Sequence, residues 1–184
     1  MGVAASIAFL VPGGCANPHS TGADARPAPR AAELDLLDAW VGEWEGTAEM
    51  VAPGQRPVTA RTHESVAWEC DKRFLVERES WDTGDGQAAR TSMAVRSWDP
   101  HAKVFRSWYF DSDGMVGHSK MTYAAAARVW HVQTKGADAV TCEPVVGEMT
   151  IRQPDARTME WTFTQWNELR TQKKVEMKGR SMRK

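Results

Sequence analysis

From residue 43 to the C-terminus apolar and polar residues alternate with a period of two, in runs of about ten separated by short polar breaks. Alternation of that period marks strands with one face buried. Ten strands are predicted, at 43–51, 57–68, 73–81, 88–98, 103–111, 115–123, 128–135, 145–152, 157–166 and 172–181. The breaks "APGQRP", "DTGDGQ", "DPHAK", "DSDG", "KGAD" and "QPDAR" supply the Gly, Pro and Asp that tight reversals need, so consecutive strands should be antiparallel neighbours. A meander of this length curls and closes, which removes exposed edges. The fold class predicted is therefore all-β, an antiparallel up-and-down barrel of about ten strands. Ahead of it, "AELDLLDAWV" (32–41) places Leu34, Leu37 and Val41 at helical spacing, with Leu36 and Trp40 close by, and Gly42 ends the run. A short helix over 33–41 should close one end.

Taking the more apolar phase of each strand as the inner one puts Trp44, Gly46, Ala48 and Met50 inside, then Val58, Ala60, Val66 and Trp68. Phe74 and Val76, Met93 and Val95, and Val104, Trp108 and Phe110 follow. Trp130, Val132, Val145, Met149, Ile151, Met159, Trp161, Phe163, Val175 and Met177 complete the inner face. The same phases carry Glu64, Arg78 and Arg106. Two guanidiniums and one carboxylate in an apolar chamber would leave one arginine for an anionic ligand group. Glu64, Arg78, Arg106, Trp68, Trp108 and Trp161 are thus the candidate ligand-binding residues. An outward turn of either arginine, or a purely structural ion pair at Glu64, is the alternative.

Composition narrows the partners. In 184 residues, 23 Lys and Arg balance 24 Asp and Glu without blocks, so no basic surface suited to nucleic acid is predicted. Nine Trp against two Tyr suit a filled core or a lined pocket. The first residues add an address. "VAASIAFLV" (3–11) is an apolar run too short to span a bilayer as a helix, and "PGGC" after it resembles a bacterial lipoprotein cleavage box with Cys15 as the acylated residue. Residues 1–15 read as a signal, 16–32 as a flexible linker and 33–184 as the barrel domain, exported to the periplasm or membrane-anchored through Cys15 alone. Cys70 and Cys142 could then pair or stay free.

Three stretches carry a resemblance: "VGEWEG", "RFLVERESW" (73–81) and "SWDPHAKVFRSWYFDSDG" (97–114). In this order they resemble a bacterial family of mostly exported proteins known only as a domain of unknown function, related to lipocalin-like barrels. The Gly-x-Trp-x-Gly start is also similar to the nitrobindin haem barrels and to lipocalins. The resemblance implies that Trp44 plugs the barrel floor, with Gly42 and Gly46 letting backbone bend and approach, and that an arginine of the last strand, Arg180 or Arg183, stacks on it. It also implies haem as a possible cofactor, for which His19, His63, His101, His118 and His131 are the histidines to consider, with solvent-exposed strand histidine as the plainer reading. No metal site is predicted: "FDSDGMVGH" (110–118) lacks the ligands of a calcium loop and reads as a hairpin turn. No nucleophile elbow or phosphate loop appears, so an enzyme is disfavoured. The leading expectation is a small-molecule-binding module. A structural domain with a filled core is the alternative, and a haem barrel the third.

Overall fold

The computed structural model describes residues 29–86, 88–138 and 141–184. The signal expected at 1–15, its Cys15, and most of the linker expected at 16–32 lie outside the described residues. Ten strands form one closed antiparallel barrel in which each strand pairs with its neighbours in sequence and the last pairs with the first. They are β1 Gly42–Val51, β2 Val58–Glu69, β3 Phe74–Asp82, β4 Arg90–Asp99, β5 Val104–Asp111, β6 Val116–Ala124, β7 Val129–Ala137, β8 Pro144–Asp155, β9 Thr158–Asn167 and β10 Lys173–Arg183. The reversals use carboxylate and amide side chains as backbone acceptors. Asp99 takes the N–H groups of His101 and Ala102, Asp111 those of Asp113 and Met115, and Asn167 those of Thr171 and Gln172. Arg90 pairs with both Asp111 and Asp113, which completes the hairpin expected there.

The short helix expected over 33–41 is a 3₁₀ helix, Ala32–Trp40. Its buried residues Leu34, Leu37 and Trp40 recur every third position, the period of a 3₁₀ helix, while Leu36 is exposed. These three side chains pack with Trp44, Val66, Leu75, Phe105, Trp130 and Ile151. All six lie near strand ends on one rim of the barrel, so the helix seals that rim. Arg30 fastens the chain just ahead of the helix: it donates to the Lys72 carbonyl at 2.9 Å, pairs with Asp35 and Asp38, and lies over the Trp68 ring at 4.4 Å.

"GEWEG" sits in the floor of this sealed end. The Trp44 indole is fully buried, donates to the Trp40 carbonyl at 2.8 Å, and carries the Arg183 guanidinium over its ring at 4.7 Å. Of the two arginines considered for that stack, Arg183 makes it, and it also donates to the Ala39 carbonyl. Gly42 has φ +138°, which L side chains rarely adopt. Gly46 is held by proximity, because a Cβ there would lie 2.9 Å from Ser181 Cα and closer still to the Arg180 carbonyl. Cys70 and Cys142 are free and exposed, so they are not paired with each other.

The glycine requirement can be measured. Gly46→Ala forces backbone apart where β1 meets β10, and should lower the unfolding free energy by about 1–3 kcal/mol or more. A lower urea midpoint at unchanged slope is the expected result. An unshifted midpoint would show that the seam accommodates a methyl group.

Candidate functional site

In an antiparallel pair, residues directly opposite each other share a face. Trp44 is inside, and it stands opposite Glu64 on β2, which places Glu64 inside. Glu64 stands opposite Glu79 on β3, Glu79 opposite Ser92 on β4, and Ser92 opposite Asp111 on β5. By the same rule Val66 brings in Glu77, and Leu75 brings in Arg96 and then Ser107. The inner wall of β2–β5 is thus lined with charged and hydroxyl side chains.

Three carboxyl groups, Glu64, Glu77 and Glu79, therefore share the inner wall with the Arg96 guanidinium. Arg96 Nη1 donates to Glu77 Oε2 at 2.9 Å, and its guanidinium lies 4.8 Å from the centre of the Trp40 ring. Ser181 Oγ donates to Glu64 Oε1 at 2.6 Å, and Ser92 Oγ to Glu79 Oε2 at 3.2 Å. Glu64 and Arg96 are buried, with 5% and 8% of their surface exposed. Burial, with the Glu77 charge adding to it, raises the Glu64 carboxyl to about 7, against the opposing pull of Ser181 and Arg96. Desolvation followed by the charges of Glu77 and Glu64 raises Glu79 well above the ordinary carboxylate range. The Tyr109 hydroxyl, beside Ser92, is pushed up to about 12, chiefly by burial.

Beside these carboxyls the lumen is aromatic. Trp81 of β3 and Trp161 of β9 approach to 5.9 Å between ring centres at a 60° tilt. Gly179 makes room for one of them, since a Cβ there would lie 2.7 Å from Trp161 Nε1. Gly147 does the same for Phe163. Trp81, Tyr109, Trp161, Phe163, Gln165 and Met177 occupy inner positions yet are only half-buried. Their strand neighbours point the other way, so the solvent they touch is inside the barrel. It enters from the rim that the 3₁₀ helix leaves uncovered.

Of the residues expected to bind ligand, Glu64 and Trp161 line this lumen. Trp68 shares the inner phase but belongs to the sealed rim, where its indole donates to Asp38 at 2.7 Å. Arg78, Arg106 and Trp108 face outward, contrary to expectation. Arg78 pairs with Glu69 at 3.1 Å and Arg106 with Asp99 at 3.2 Å on the outer wall, and Trp108 is 41% exposed. The cause is an inversion in β3, β4 and β5, where Phe74, Val76, Met93, Val95, Val104, Trp108 and Phe110 take outer positions and the polar phase points inward. Arg78, Met93 and Phe110 border a shallow outer hollow of about 590 Å³, and Arg106, Trp108 and Phe74 another of about 550 Å³, both open to solvent.

Glu77, Glu79, Arg96, Tyr109 and Trp81 were not singled out by alternation. A signal for the first two existed in loop length. The four residues 70–73 between Glu69 and Phe74 leave those two as an opposed pair, which forces Trp68 and Leu75, and hence Glu77 and Glu79, onto one face. Of the histidines considered for haem, His19 lies outside the described residues. His63, His118 and His131 are exposed on outer strand positions and His101 is exposed in a turn, so none of these reaches the lumen. Among the described residues no His, Cys, Asp and Glu group is arranged to hold a metal ion.

A family model described as a protein of unknown function, DUF1579, matches residues 30–183. Comparison with curated proteins gives no match. Among solved structures, Rv2717c from M. tuberculosis is similar with a TM-score of 0.67 at 15% identity, over 85% of this chain and 99% of that one. The S-type phycobiliprotein lyase CPES from Guillardia theta is similar with a TM-score of 0.56 at 10% identity, over 84% of this chain and 94% of that one. At these identities the likeness is one of fold.

The raised carboxyls set a pH dependence. An acid whose folded pKa lies above its unfolded value stabilises the fold fully below the unfolded pKa, and that contribution is lost as pH rises through the folded one. For Glu64 the loss runs from about 4.5 to about 7. Glu64→Gln keeps an acceptor for Ser181 and cannot ionise. It should therefore melt higher than the parent at pH 8, by roughly 2–4 °C per kcal/mol recovered, and show no gain at pH 4.5. Equal melting temperatures at pH 8 would mean that Glu64 ionises without cost.

Proposed function

We propose, for a chain that belongs to the DUF1579 family of proteins of unknown function, that its barrel is a binding module holding a small, largely apolar ligand in the lumen. The observation that carries this reading is the set of half-buried aromatic and polar side chains inside the unsealed half of the barrel, headed by Trp81 and Trp161. A domain whose only task is structural gains by filling its centre with packed apolar side chains. Here the glycines at 147 and 179 give space to Phe163 and Trp161, and three carboxyls occupy positions that Leu or Val would fill at lower cost. Such an interior, apolar with a few convergent polar groups, is the usual form of a small-molecule site. That a barrel of this fold is a phycobiliprotein lyase in Guillardia theta is in keeping with a working lumen. Export, with acylation at Cys15, belongs to the same proposal and would place the module at a membrane surface; the intact mass of the native protein checks it.

The neutral fluorophore N-phenyl-1-naphthylamine tests occupancy. Saturable one-to-one binding is expected, with energy transfer from tryptophan. Trp81→Phe combined with Trp161→Leu should weaken it by about tenfold, a loss of about 1.4 kcal/mol, while far-ultraviolet circular dichroism stays unchanged. Absence of saturable binding to the parent protein would favour a filled core and remove the proposal.

A further inference from the structure

The lumen also carries a chemical preference. We propose that it selects planar apolar ligands bearing a cation or several N–H donors, and rejects carboxylates of the same shape. This rests on the binding role proposed above and names the ligand class of the same site.

The first ground is which inward charges are already engaged. Arg96 is bound to Glu77 and stacked on Trp40, and it is buried at the sealed side of the lumen. Arg90, the other inward arginine of β4, pairs with Asp111 and Asp113 near the open rim. An entering carboxylate thus meets no guanidinium that is not already neutralised. Two of the inner hydroxyls are likewise directed at carboxyls, Ser181 at Glu64 and Ser92 at Glu79. The second ground is the excess of acceptors. Glu64 and Glu79 stand opposite each other, Glu64 taking the Ser181 hydroxyl and Glu79 the Ser92 hydroxyl and the Trp81 indole N–H, whereas two carboxylates together can accept more. An amidinium or a fused N–H heterocycle supplies donors in the plane that two such carboxyls present. The third ground is the tilted pair Trp81 and Trp161, whose half-buried rings offer π surface to a flat cation and no donor charge to an anion. The site is thus a lumen in which acidic groups of β2 and β3 stand beside the aromatic pair of β3 and β9.

A cation entering here displaces protons. The charged or titratable groups around Glu64 are Glu77 and Glu79 of β3 and Arg96 of β4; β10 contributes the Ser181 hydroxyl, and the inner residues of β1 carry no charge. With one positive charge against three carboxyls, the ionised forms of Glu64 and Glu79 are disfavoured in the empty lumen, and a bound cation stabilises them. Binding should therefore release protons and tighten as pH rises through about 7.

Three isosteres decide the question: 2-naphthamidine, 2-naphthamide and 2-naphthoate, titrated by tryptophan fluorescence and by calorimetry. At pH 8 naphthamidine should bind at least about tenfold more tightly than naphthoate. Glu64→Gln with Glu79→Gln should remove most of that ratio. Because each substitution removes a buried ionisable group, loss of folding is not expected, and N-phenyl-1-naphthylamine, whose binding rests on Trp81 and Trp161, reports on the lumen in the double variant. Calorimetry of naphthamidine at pH 7 in two buffers of different ionisation enthalpy should give different heats, corresponding to release of protons. Equal or tighter binding of naphthoate, or a ratio untouched by the double variant, overturns the charge preference and leaves lumen binding standing. If none of the three binds, and N-phenyl-1-naphthylamine does not either, the lumen reading itself falls.

Discussion

Closure of the ring fixes the facing of every side chain at once. In an open sheet a strand can slip by one residue and present its other face, at the price of one pairing edge. Here each strand is paired on both sides and the last is paired to the first, so a slip anywhere would have to be matched all the way around. The anchor of that constraint is Trp44, locked between the Trp40 carbonyl below and the Arg183 guanidinium above. With Trp44 inside, the pairings from β1 outward leave no choice for Glu64, Glu79 and Ser92 on one side or Ser181 and Trp161 on the other.

That lack of choice explains how an acidic lumen persists. Removing several carboxyls from water opposes folding unless partners or protons compensate. The barrel compensates with both: Arg96 for Glu77, the Ser181 hydroxyl for Glu64, the Ser92 hydroxyl and Trp81 indole for Glu79, and a raised affinity of Glu64 and Glu79 for protons. The apolar packing that carries the fold is spatially separate. Leu34, Leu37, Trp40, Trp44, Phe105, Met121 and Trp130 concentrate at the sealed rim, with Trp130 in edge contact with both Trp40 and Phe105. Stability is gathered at one end and polar chemistry in the middle, a division common among sites that rigid scaffolds support.

The barrel was legible in the sequence because alternation and turn chemistry are local signals, and all ten strands fall close to their expected places. The helix was legible as an element but not in its type, since Leu34, Leu37 and Trp40 satisfy a three-residue repeat as readily as the start of a 3.6-residue one. Facing was legible only where one phase is clearly the more apolar. It reads correctly at β1, β2, β7, β8, β9 and β10, and it inverts across β3, β4 and β5. There Val76, Val95 and Trp108 form the outer wall while Glu77, Ser92, Arg96 and Ser107 turn inward. Hydrophobicity identifies the inside of a barrel only if the inside is a core. Where it is a chamber, the rule reverses, and the loop between Glu69 and Phe74 is then the better guide because it counts residues instead of weighing them.

The pairing of β1 with β10 has a consequence for how the chain is made. Trp44 stands opposite Arg183, and Gly46 opposite Ser181, so the floor is finished by residues translated almost 140 positions later. Hairpins can form in order as the ribosome delivers them, yet the first strand must wait with one edge bare until the last emerges. During synthesis the nascent sheet is an open, curling ribbon whose tryptophan plug lacks its lid.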